Sequence, residues 1–149
     1  MTQQTYNIQF VGLQTDKVFR TLTSADKELK IHFDDYLKEE YKDDISERLD
    51  YCDIGEIARF IVDKLKVGQT ELFQSFFDNV ESILSDCDTR VENLMVVGLF
   101  ESIQNICGTE IDYHVIFKAW LGQLSKTKWD ELIDNWEGKE WRSKYNNNL

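Results

Sequence analysis

At 149 residues, 42% of them hydrophobic and 13% aromatic, the chain can bury a sizeable core as one domain, which counts against intrinsic disorder. Its net charge of −11, from 28 acids against 17 bases, counts against nucleic-acid binding and favours attraction to a basic partner. The longest apolar run, Leu94 to Phe100, is broken by Gly98 and too short to span a bilayer, and the N-terminus lacks a signal-peptide pattern, so a cytosolic protein without a membrane partner is expected.

Residues 5–22 carry mixed signals. Tyr6, Ile8 and Phe10 alternate as in a strand, and Val11 and Leu13 then switch face. A short strand, a hairpin and an ordered arm all fit that pattern. From Thr23 the punctuation is helical, because Thr23-x-x-Asp26 resembles a capping box. Leu29, Phe33, Tyr36 (or Leu37) and Glu40 follow at helical spacing. A second helix is expected over Asp53 to Val67, on a stripe of Ile54, Ile57, Ala58, Ile61 and Leu65, with Gly68 as its stop. A third follows Thr70, with Leu72, Phe73, Phe76, Phe77, Val80, Ile83 and Leu84 recurring every three or four residues.

Ser85-x-x-Asp88 opens a fourth helix running to about Cys107. Its centre, "NLMVVGLF", is apolar on nearly every side, as in a helix surrounded by others. Gly98 there costs ~1 kcal/mol relative to Ala, which points to a close helix approach. Thr109-x-x-Asp112 begins a fifth, with Tyr113, Ile116, Phe117 and Trp120 on one stripe, and Ser125 caps a sixth carrying Trp129, Leu132, Ile133 and Trp136. The expected fold is all-α, a compact bundle of about five to seven helices in a single domain over 1–149. Within it, 1–23 forms an N-terminal arm or short strand and 139–149 a partly frayed tail. Phe76, Leu94, Val97, Phe117, Trp120, Trp129 and Trp136 are expected in the core, whereas Trp141 and Tyr145 are less periodic and fit an exposed position.

The chemistry-bearing residues are sparse. Cys52, Cys87 and Cys107 form no CxxC and read as small buried hydrophobes. His32 lies near Asp34 and Asp35, and His114 can converge with Cys107 across a turn, but neither histidine sits in a recognisable nucleophile motif. There is no HExxH, EF-hand loop or phosphate-binding glycine loop, so neither metal nor cofactor is expected. Glu101, Gln104 and Asn105 share a face of the fourth helix, as a pocket wall, a partner contact, a solvent edge or a means of satisfying buried backbone. Charge is the strongest distributional signal. Residues 26–56 hold twelve acids against Lys27, Lys30, Lys38, Lys42 and Arg48. Among them Asp34, Asp35, Glu39, Glu40, Asp43, Asp44, Glu47 and Asp50 make the candidate partner-binding surface, with a solvated face as the plain alternative.

"IGEIARFIVDKL", "VENLMVVGLFESIQN" and "FKAWLGQLSKTKWDELIDNW" resemble, in that order, a family of small helical bacterial proteins of unknown biochemical function. There a "VGxLExLQN"-like helix precedes an "FxxWLGxxSxxxWxxLxxFW"-like ending. Here Phe100 takes the place before Glu101, and Asn135 stands where an aromatic is common. The resemblance spans about residues 33–138. Such members are similar to immunity proteins, which bacteria keep beside toxins delivered to neighbours, as in contact-dependent growth inhibition. The resemblance implies a protein that binds and neutralises a cognate toxin domain. The absent catalytic motifs add the expectation that it is no enzyme, and the acidic segment that the toxin is basic, as a nuclease with a basic substrate cleft would be. The alternatives are a helical adaptor unrelated to toxins and an enzyme using His32 or His114.

Overall fold

The computed structural model describes residues 15–42, 44 and 48–146. Helix α1 is described over 15–23, with Val18, Phe19 and Leu22 as its buried stripe. The strand, hairpin or arm expected over 5–22 is therefore replaced by helix from 15 onward; its earlier part lies outside the described residues. Thr23 does not cap the next helix. Its hydroxyl donates back to the Phe19 carbonyl at 2.8 Å and closes α1. Asp26 is the cap of α2 (Lys27–Tyr41), accepting from the Leu29 amide at 3.1 Å.

Helix α3 (Asp50–Lys66) buries Ile54, Ile57, Ala58, Ile61 and Val62. Asp53, in its first turn, is fully buried and accepts from the hydroxyls of Tyr36 (3.0 Å) and Tyr41 (2.6 Å) and from Arg48 Nε (2.9 Å). A buried carboxylate is tolerated only when paired and hydrogen-bonded. Here the pairing ties α2, α3 and the connection between them into one unit. The Arg48 guanidinium also lies 4.7 Å over the Phe19 ring, which brings α1 into the same junction.

Helix α4 (Phe73–Ser85) buries Phe73, Phe76, Phe77 and Val80 on one face. It ends as α1 does: the Ser85 hydroxyl donates to Ser82, while Asp88 caps the next helix by accepting from the Val91 amide. Helix α5, over 89–107, is continuous but not uniform. α-Helical Thr89–Asn93 leads into a wider π-helical segment, Leu94–Phe100, and then into α-helical Glu101–Cys107. The close approach implied by Gly98 is present. A Cβ there would lie 2.8 Å from Ile54 Cγ2 on α3. Because Gly98 takes that inward position, Val97 turns outward and is 46% exposed, against its expected place in the core.

The expected fifth helix does not form. Residues 108–115 are turns, and Ile116–Ala119 make a single 3₁₀ turn. The Asp112 carboxylate accepts from the His114 amide two residues on, and the Tyr113 carbonyl accepts from the Trp129 indole at 2.9 Å. Those bonds hold the chain away from helical geometry. Helix α6 (Gln123–Glu137) starts two residues before Ser125, and its free amides are met by Glu81 from α4. Trp129 is fully buried against Phe100 and Phe117; Trp120 is half-buried, edge-on to Phe73. Trp136 stands 49% exposed at the last turn of α6. The tryptophan buried near that end is Trp141, on α7 (Glu140–Asn146), where a frayed tail was expected. Its indole donates to Asp134, which Arg142 grips with two further bonds at 2.9 and 2.8 Å. Among the described residues there is no strand, and the fold is all-α.

Candidate functional site

The sequence-predicted acids divide by position. Asp35, Glu39 and Glu40 are exposed on α2, and Ile31, 54% exposed, extends the i, i+4 row of Asp35 and Glu39. Asp34 is paired with Lys30 at 2.7 Å across one helical turn. Asp44 is exposed just past α2, and Asp43 and Glu47 lie outside the described residues. Asp50 is only half exposed, and burial pushes its carboxyl up against the opposing pull of Arg48. Asp53 faces inward and is no part of the surface. At the start of α3, Leu49 and Tyr51 are 61% and 49% exposed. The Leu49 amide donates to the Tyr41 hydroxyl at 2.9 Å, which holds Leu49 next to the C-terminal end of α2, whereas the Tyr51 ring lies beside Gly98 of α5. Sequence reading passed over Leu49 because its position is set by the contact with Tyr41, eight residues away.

Neither histidine forms the arrangement considered for it. His32 lies 3.7 Å from Glu56 and 5.1 Å from the Phe60 ring, both on α3, rather than pairing with Asp34 or Asp35. His114 Nδ1 is 2.7 Å from Asp112, and its Nε2 is 2.9 Å from Glu137. Its ring stacks on Tyr113 and Tyr145 at 4.6 and 4.8 Å and lies 5.4 Å from Trp141. Both ring nitrogens thus face carboxylates rather than Cys107. Burial pushes the Cys107 thiol up to about 11, so it stays protonated at neutral pH. Cys52 is exposed and Cys87 half-buried, so only Cys107 is the buried hydrophobe expected of all three.

A cleft of about 440 Å³ runs beside His114, lined also by Glu110, Asp112, Glu137 and Tyr145. A larger groove of about 600 Å³ lies between α1 and the end of α4, lined by Lys17, Thr21, Ser82 and Cys87. Glu101, Gln104 and Asn105 do not share one environment, and Gln104 takes the role of satisfying buried backbone. Gln104 is buried, donating to the Trp129 carbonyl at 3.4 Å, while Glu101 is half exposed and Asn105 exposed. Among the described residues no group of His, Cys, Asp and Glu is arranged to hold a metal ion, and no helix is long and apolar enough to cross a membrane.

No curated protein and no solved structure matches the chain. The profile of the family described as Domain of unknown function (DUF7674) matches residues 19–137, and the chain belongs to that family.

Proposed function

We propose that the protein is a cytosolic immunity protein that neutralises a basic, nuclease-like toxin domain by docking the acidic face of α2 against it. The observation that carries this reading is the row of exposed Asp35, Glu39 and Glu40 on α2, flanked by exposed Ile31 on the same row and by exposed Leu49, whose amide is bonded to Tyr41 at the end of that helix. Carboxylates of one sign raise the rate of encounter with a basic surface, and apolar groups beside them supply area to bury once contact is made. The sequence resemblance to immunity proteins supports the choice of a toxin as partner.

Two measurements test it. A toxin C-terminal domain encoded beside this chain should arrest growth when expressed alone and not when co-expressed with it. No such neighbour, or no rescue, removes the immunity reading. With that domain in hand, changing Asp34, Asp35, Glu39 and Glu40 together to Lys should slow association roughly tenfold or more at low salt and flatten its salt dependence. The urea midpoint should change little, because the exposed Lys30–Asp34 pair contributes only tenths of a kcal/mol, roughly 0.3–0.5. Equal rates and slopes would take the acidic face out of the mechanism.

A further inference from the structure

A histidine with both nitrogens within 2.9 Å of carboxylate oxygens has one protonation state that fits. The imidazolium donates from both nitrogens, whereas the neutral ring keeps one lone pair, which would point at a carboxylate oxygen. At His114 the two carboxylates come from different elements. Asp112 sits in the turns after α5, and Glu137 is the last residue of α6. The same carboxylates hold the surrounding tyrosines. The Tyr145 hydroxyl donates to Asp112 Oδ2 at 2.8 Å and lies 3.3 Å from His114 Nδ1, while the Tyr113 hydroxyl donates to Glu137. The histidine side chain is 15% exposed, so water replaces few of these bonds.

Helix α7 is therefore fastened at two places. Near its start, Trp141 and Arg142 grip Asp134 of α6. One turn on, Tyr145 joins the His114 group. Only the second attachment contains an imidazole, which donates from two nitrogens when charged and from one when neutral. We propose that His114 is a proton-operated clasp: protonated, it locks the distal half of α7 to the body, and on losing its proton it releases that half while Asp134 retains the helix start.

The other groups around the ring do not substitute for it. Asp112, Tyr113, Glu137 and Tyr145 face the ring, and Glu110 lines the adjoining cleft. Cys107 stays a neutral thiol, Lys118 is paired with Asp130, and Lys144 lies 5.6 Å over the Tyr145 ring. Burial alone would raise the carboxyls of Asp112 and Glu137, but hydrogen bonds from Tyr145, Tyr113 and His114 hold both below their ordinary values. Burial and the Asp112 bond push the Tyr145 phenol up to about 12, so it remains a donor throughout the neutral range. The sign follows. The charged ring donates to both Asp112 and Glu137, and losing its proton removes one of those two bonds. The carboxylates' contribution is lost only in acid.

The test is hydrogen exchange of the full chain, with rates corrected for intrinsic pH dependence. Between about pH 6 and about pH 8, protection of the distal α7 amides should fall roughly tenfold relative to α3, the equivalent of one charge-assisted hydrogen bond. His114→Gln should show the low protection at both values, and Tyr145→Phe should lose protection at both while keeping the pH dependence. A second measurement stands even if His114→Gln fails to fold. In His32→Gln, with His114 the remaining imidazole, the amides of Lys144 and Tyr145 should titrate with the ring's own midpoint. Protection independent of pH, a pH dependence that survives His114→Gln, or amides that do not follow the ring would each overturn the proposal.

Discussion

Glu81 shows how much a single side chain can settle here. From the middle of α4 it crosses to the first turn of α6, accepting from the amides of Leu124 and Ser125 at 2.9 Å and from the Ser125 hydroxyl at 2.7 Å. Those amides are orphans of a helix start, and a negative charge there also meets the positive end of the helix dipole. Burial alone would raise the Glu81 carboxyl, yet its three donors hold it below the ordinary range. Gly122 makes the approach possible, since a Cβ at that position would run into the Glu81 carboxylate. Glu81→Ala should therefore cost about 1–2 kcal/mol, the range of a lost N-cap, and Glu81→Gln less, because its amide oxygen still accepts. Gly122→Ala should be costly in the wild type and nearly neutral in the Glu81→Ala background, as expected when two residues share one interaction. Urea midpoints of the two single variants and the double variant check this. Additive losses would mean that Gly122 acts through its own backbone and not through the cap.

Elements in this chain are bounded by a pattern with two meanings. In Thr23-x-x-Asp26 and Ser85-x-x-Asp88 the hydroxyl closes the helix behind and the carboxylate opens the helix ahead. The pattern thus marks a helix–helix junction, and placing both caps on its first residue sets each start three residues early. In Thr109-x-x-Asp112 the carboxylate instead holds the His114 amide and ring, and no α-helix follows. The apolar stripes of α3 and α4 were legible because burial imposes helical spacing directly. The site was less so. Asp53 counts as one more acid in sequence, and only Tyr36, Tyr41 and Arg48 reveal that it is buried. His114 meets Glu137 and Tyr145 across 23 and 31 residues, and no local spacing encodes that convergence. The crossing of α3 and α5 was readable in Gly98, although the π-helical widening around it was not. Gly98→Ala should destabilise the fold by about 1–3 kcal/mol despite alanine's better helix propensity, because the added methyl meets Ile54, Leu94 and Tyr51. A thermal midpoint equal to or above that of the wild type would show that the crossing can open without loss.

At the scale of the whole molecule, two electrostatic effects oppose each other as pH falls. The net charge of −11 at neutral pH carries self-repulsion, and protonating exposed acids relieves it. Against that, Glu81, Asp112, Asp134 and Glu137 are held below their ordinary values by hydrogen bonds made only in the folded chain. A carboxyl lowered in the folded state contributes stability above its unfolded value, about 4, and that contribution disappears as pH drops through the folded value. Asp50 runs the other way, because burial raises its carboxyl and favours the fold once the group is protonated. Four groups against one decide the sign below about pH 4, where the relief of repulsion no longer compensates for the lost bonds. The urea midpoint should stay nearly level from about pH 7 to about pH 4 and then fall steeply, while added salt should raise it at neutral pH by screening the acids. Glu81→Gln, with no proton to gain at that position, should shallow the acid limb of the curve. A midpoint that keeps climbing into acid would mean that repulsion among the surface carboxylates outweighs the four held inside the hydrogen-bond network. The bonds at α6 and α7 would then contribute little to acid stability.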